Sequence, residues 1–150
     1  MDSSLQPTTR FEDVLRWAVF AAGLAQILLC MASLAIPRIL HWREDLAQLR
    51  PLTRQVFWTY AAYILGTNGA FGLVSSLAPQ WLLDGTGLAR AVAGFIAVYW
   101  GARLAVQFFY FDRRSGPQGS PFKLAEAVLV TLFIGLAAVY TAAAILGGRL

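Results

Sequence analysis

Apolar residues in this chain gather into four long runs separated by short polar stretches. The runs cover residues 17–36, 56–78, 91–111 and 124–146. Pro37 closes the first, Pro79 the second and Gly147-Gly148 the fourth, while Pro51 and Pro121 stand just ahead of the second and fourth. Proline costs little in the first turn of a helix, where its missing N–H has no partner to lose, and it stops a helix elsewhere. Each run is close to the ~20 residues that carry a helix across ~30 Å of hydrocarbon. Lipid offers nothing to hydrogen-bond backbone N–H and C=O groups, so runs of this length are helical if they cross it. The pattern predicts an all-α integral membrane protein, a single domain over residues 1–150 folded as a bundle of four transmembrane helices.

The connecting stretches refine this picture. Between the first two runs, Ile39, Trp42, Leu46 and Leu49 recur at helical spacing with Arg43, Glu44, Asp45 and Gln48 between them. That pattern predicts a short amphipathic helix lying at the membrane interface. The stretch 115–121, Ser-Gly-Pro-Gln-Gly-Ser-Pro, reads as a plain connecting loop. The first run is longer than a signal-peptide core, and the residues ahead of it include Asp2, Glu12 and Asp13, so it is expected to stay as an anchor. Arg38, Arg43, Arg50, Arg54, Arg113, Arg114 and Lys123 flank one side, against Arg10, Arg16, Arg90 and Arg149 on the other. Basic residues favour the cytoplasm, which predicts a bacterial inner membrane with both termini outside. Trp17, Phe57, Trp58, Trp81 and the aromatics of 108–111 fall at run boundaries, as a headgroup belt requires.

Composition narrows the function classes. The 150 residues are 58% hydrophobic and 13% charged, with a mean hydropathy of +0.59. A soluble domain carries about 25% charged residues. The net charge of +4 is spread between the apolar runs and forms no single patch, so it reads as juxtamembrane charge and nucleic acid is not an expected partner. Cys30 and His41 are the only residues of their kinds. No intramolecular disulfide, bis-histidine haem, Cys/His zinc site or CxxC redox pair can form within one chain, and neither a metal nor a cofactor is expected.

Arg103 is the most unusual residue, a cation inside the third run about 13 Å from its Asp112 end. A charge at a helix centre costs roughly 2.5–3.5 kcal/mol on insertion scales, so it turns toward protein, water or the interface. Tyr99, Gln107 and Tyr110 share its face, at spacings of four and seven, and Glu126 enters the fourth run from the same side. Two readings follow: a polar pocket lined by Arg103, Tyr99, Gln107, Glu126 and Tyr110, or a snorkelling arginine that joins the third and fourth helices. On the opposite face Ala89, Ala93, Ala97, Gly101 and Ala105 repeat every fourth position, and in the second run Gly66, Gly69 and Gly72 do so every third. Small residues at such spacings let helix backbones approach closely. Tyr60, Tyr63 and Thr67 share an arc that could line a cavity, and Gln26 is a lone amide in the first run, suited to an interhelical hydrogen bond.

The stretch Asp84-Gly85-Thr86-Gly87-Leu88-Ala89-Arg90 resembles the opening of the CDP-alcohol phosphatidyltransferase signature, where Asp-Gly precedes Ala-Arg by two residues and metal-binding aspartates follow. Here three residues intervene and no aspartate stands between Arg90 and Asp112, so paired carboxylates for a divalent metal are lacking. The stretch reads instead as a turn and a helix start. No Ser/His/Asp set, phosphate loop or deep acidic residue for proton coupling is present either. The expected role is therefore that of an accessory or scaffold subunit acting by helix packing, not an enzyme. The alternative is a small transporter or a lipid- or quinone-binding module around Arg103. Expected partners are membrane lipids and, through the small-residue face of the third helix, another protein or a second copy.

Overall fold

The computed structural model describes the backbone of residues 6–110 and 120–148, with side chains over 10–110 and 123–148. Arg113, Arg114, Arg149 and the 115–121 stretch up to residue 119 lie outside it. Four long helices dominate: α1 (Gln6–Ser33), α4 (Pro51–Leu77), α5 (Gly87–Phe109) and α6 (Ser120–Leu146). Two short helices, α2 (Ile36–Ile39) and α3 (Trp42–Ala47), join α1 to α4, and a 3-10 turn over Pro79–Leu82 precedes α5. No strand occurs among the described residues.

Three segments, Arg10–Ile39, Gly87–Phe109 and Lys123–Leu146, are long and apolar enough to cross a membrane, which marks this as a membrane protein. The 56–78 run also forms a long helix, the 27-residue α4, but Tyr60, Tyr63, Thr67, Asn68, Ser75 and Ser76 leave its most apolar stretch below those three segments. α1 starts well ahead of residue 17. Its first turns are amphipathic, with Leu15 and Val19 buried while Glu12, Asp13 and Arg16 are exposed, so the helix continues out of its apolar run.

The long helices pack in the order α4, α1, α6, α5, and the 3-10 turn touches α1, α4 and α5. Val19, Ala22, Leu82, Ala93, Ile96, Trp100, Phe133, Leu136, Tyr140 and Ala143 form the core. Large apolar side chains such as Leu28, Leu77, Val98 and Phe109 stay exposed. A membrane solvates such side chains, whereas water would not.

The tightest crossing joins α1 to α4. A Cβ added to Gly23 would stand 2.6 Å from the Ser76 nitrogen and 2.9 Å from the Gly72 carbonyl oxygen, and one on Gly72 would stand 3.1 Å from the Gly23 carbonyl oxygen. Gly66 and Gly69 face open space, with nothing within 4 Å.

The loop between α1 and α4 differs from the single amphipathic helix its spacing predicts. His41 adopts a left-handed conformation (φ 51°) that separates α2 from α3. The apolar set is consequently split: Leu46 is buried, Trp42 is half-buried, and Ile39 and Leu49 are exposed. Trp42 rests edge-on against Phe57 (5.0 Å) and Trp58 (6.2 Å), holding α3 to the start of α4.

Candidate functional site

Each long helix contributes one polar side chain to a single buried network. Gln26 from α1, Ser75 from α4, Trp100 from α5 and Tyr140 from α6 are at most 1% exposed. Trp100 Nε1 donates to Gln26 Oε1 at 3.2 Å. Gln26 Nε2 donates to the Tyr140 hydroxyl at 2.5 Å and to the Ala22 carbonyl at 3.2 Å. The Tyr140 and Ser75 hydroxyls lie 2.6 Å apart, and either can donate to the other while Tyr140 accepts from Gln26.

A buried amide or hydroxyl without a partner costs about 1–3 kcal/mol, so the four groups make one another tolerable in an apolar core. Trp100 also stacks on Phe133, with 5.2 Å between ring centres. The close Gly23–Gly72 crossing sits one turn from Gln26 and Ser75 and draws α1 and α4 together beside the network. Sequence reading singled out Gln26 but not its partners.

The residues around Arg103 lie on a side face. The guanidinium sits 5.7 Å from the Phe133 ring centre and so bridges α5 to α6 by a cation–π contact. The Tyr99 hydroxyl lies against Asn68 of α4 and near Arg103, while its ring packs edge-on against Phe71 and Trp100. Asn68 Oδ1 is buried and accepts no hydrogen bond. Gln107 and Tyr110 follow toward the last turn of α5, and Glu126 occupies an early turn of α6. Tyr110 is largely exposed and Glu126 half-buried. The structure thus brings Tyr99 close to both Arg103 and Asn68, and Asn68 is a residue the sequence reading did not single out.

The small-residue stripe of α5 divides in two. Ala89 and Ala93 are buried, and Ala97 packs against the core. Gly101 has open space where a Cβ would be, and Ala105 is exposed. Among the described residues no three His, Cys, Asp or Glu side chains could hold a metal ion.

The turn before α5 is built as the sequence suggests. Thr86 Oγ1 accepts from the Ala89 N–H at 3.1 Å and caps the helix, and the Thr86 N–H and hydroxyl both donate to Asp84 Oδ1, at 2.9 and 2.7 Å. These donors hold the Asp84 carboxyl below its ordinary pKa. Gly85 and Gly148, both at positive φ, touch backbone to backbone, and Arg90 Nη2 donates to the Gly147 carbonyl at 3.3 Å. The turn is thereby latched to the end of α6. Beside it, α1, the 3-10 turn and α6 enclose an open cavity of about 440 Å³.

Compared with known proteins, the chain matches no family model, no curated protein and no solved structure.

Proposed function

We propose that this chain is a four-pass integral membrane protein that serves as an accessory or scaffold subunit, packing its outer helix faces against a partner. The observation that carries the reading is the buried Gln26–Ser75–Trp100–Tyr140 network. It ties all four long helices together with side chains that satisfy one another, and it fills the interior where a conducting pathway would need water or replaceable ligands.

Chain geometry supports α4 as the fourth crossing. α1, α5 and α6 each have the length and apolarity to span, and residues of α1, the turn before α5 and the end of α6 meet around one cavity. The chain leaves α1 at the opposite end and must return before α5 starts. α4 is the only long element between them, and its 27 residues reach about 40 Å. Three of its hydroxyls are also accommodated: those of Thr59 and Ser76 donate to the carbonyls of Gln55 and Gly72, and Ser75 joins the network. The basic loop residues favour a cytoplasmic membrane with both termini outside.

Mild-detergent purification of a tagged chain followed by native mass spectrometry tests the role. A foreign membrane subunit in fixed stoichiometry is expected. This chain recovered only as a monomer or homo-oligomer would defeat the reading.

A second reading rests on Asn68. Its buried Oδ1, beside Tyr99 and accepting no hydrogen bond, suits a hydroxyl or ammonium donor of a lipid or quinol entering sideways between α4 and α5. A bound quinone or lipid that disappears in Asn68→Leu would favour this reading over the first.

A further inference from the structure

We infer that the cleft between α4 and α5 binds the uncharged, hydroxyl-bearing ring of a lipid-soluble quinol, with Asn68 as the hydrogen-bond acceptor. The inference rests on the second reading above and gives its ligand a chemical class. The long helices pack in the order α4, α1, α6, α5, so α4 and α5 are the two ends of the row and meet through side chains. Phe71 stands edge-on to Phe95 and Tyr99, with ring centres 6.0 and 5.3 Å apart. Tyr60, Ile64, Thr67 and Phe71 share one arc of α4, and Phe95, Tyr99, Ala102 and Val106 share one arc of α5 at the same spacings. Phe71 and Tyr99 bring the arcs together. Toward the loop that joins α1 to α4 they part: Tyr60 is 65% and Ile64 56% exposed, and Ala102 and Val106 are exposed opposite. Asn68 lies where the arcs close, with its amide beside the Tyr99 hydroxyl.

Two hydrogen-bonding groups at this closed end lack partners among the described residues. Asn68 Oδ1 is buried and accepts no hydrogen bond. The hydroxyls of Thr59, Ser76, Thr131 and Thr141 each donate to the carbonyl four residues earlier, yet the half-buried Thr67 side chain makes no hydrogen bond. An orphan oxygen in an apolar span is costly, and a ligand hydroxyl that donates to it removes the cost. Oδ1 accepts and cannot donate, so the fitting head carries a proton to share; a quinol carries two and the corresponding quinone none. Depth narrows the class further. Asn68 stands about 25 Å along α4 from Pro51, inside the hydrocarbon of a four-pass chain, where a phospholipid's charged headgroup is too costly to bring. An uncharged ring on an apolar tail reaches that depth, and the rings of Phe71 and Tyr99 suit a flat aromatic head.

Purified full-length protein in detergent is titrated calorimetrically under nitrogen with decylubiquinol and, separately, with decylubiquinone. The quinol should bind about tenfold more tightly, the scale of one hydrogen bond made to an otherwise unpaired acceptor. Asn68→Leu should remove that preference without lowering the melting temperature, because the deleted oxygen has no partner to lose. Ile64→Trp, at an exposed position, should obstruct the cleft and weaken binding of both forms while Asn68 is intact. Equal binding of the two forms, tighter binding of the quinone, or a quinol preference that survives Asn68→Leu would overturn the inference. A phospholipid retained by the parent and lost from Asn68→Leu, read by native mass spectrometry, would overturn the quinol but leave a sideways-entering ligand standing. If neither experiment finds a ligand that depends on Asn68, the second reading falls and the inference with it.

Discussion

Trp100 gives its indole N–H to the side-chain oxygen of Gln26, 3.2 Å away and 74 positions earlier in the chain. That bond, with Gln26 reaching on to Tyr140 and Tyr140 to Ser75, makes the register of all four long helices interdependent. Sliding any one helix by a residue would strand at least one buried donor or acceptor.

Gln26→Leu should therefore lower stability in detergent by about 2 kcal/mol, because it leaves the Trp100 N–H and the Tyr140 hydroxyl without their partner. Tyr140→Phe should cost less, about 1 kcal/mol, since hydrogen bonds between membrane helices average well below that ceiling. Thermal or denaturant unfolding followed by tryptophan fluorescence checks both. A Gln26→Leu protein as stable as the parent would show that the network contributes nothing.

The glycines separate by position. Gly23→Ala places a methyl against the Ser76 backbone nitrogen, which cannot move aside as a side chain would, and should cost about 1–3 kcal/mol. Gly66→Ala enters open space and should be neutral or stabilise by up to about 1 kcal/mol through helix propensity. The order of melting temperatures, Gly66→Ala at or above parent and Gly23→Ala well below it, is the readout.

Thr86→Val removes the helix cap, and a loss of about 1 kcal/mol is expected. The same turn has a pH signature. Asp84 accepts two hydrogen bonds, so its folded pKa lies below the unfolded one. Its contribution is then complete above the ordinary carboxylate value, about pH 4, and is lost as pH falls through the lower folded value. Asp84→Asn should flatten the acid limb of the melting-temperature profile without changing its neutral plateau in the same way.

Arg103→Leu removes a cation–π contact with Phe133, which is worth about 0.5–1 kcal/mol at an accessible site. Monomer stability should fall by about that much from this contact alone. Co-purification with a partner should fall much further if this face of α5 and α6 forms part of the contact, and quantitative mass spectrometry of the two preparations compares them.

Much of the fold was legible because apolar run length is a strong signal. The 91–111 and 124–146 runs correspond to α5 and α6 within a few residues. The 17–36 run understated α1, since the charges of Glu12, Asp13 and Arg16 end an apolar run without ending a helix. The interruption at His41 was hidden because side-chain periodicity says nothing of a single left-handed residue.

The site was less legible. Gln26 stood out as a lone amide, but Ser75, Trp100 and Tyr140 are ordinary residues until helix pairing brings them to one place. The close α1–α4 approach was partly legible: glycine spacing singled out Gly72 along with Gly66 and Gly69, but not its partner Gly23, and Gly66 and Gly69 face open space. Counting residues back from the terminal ends of α4 and α6 would have suggested Ser75 and Tyr140, which both lie within two turns of those ends.

Most of the account depends on whether α4 crosses the membrane. The single native cysteine makes this measurable: in a Cys30→Ala background, Gln48→Cys and Gln80→Cys are labelled with a membrane-impermeant maleimide on intact and on permeabilised cells. Gln80→Cys is expected to react on intact cells and Gln48→Cys only after permeabilisation. Labelling of both positions from the same side would mean that α4 does not span, and would contradict the four-pass protein described above.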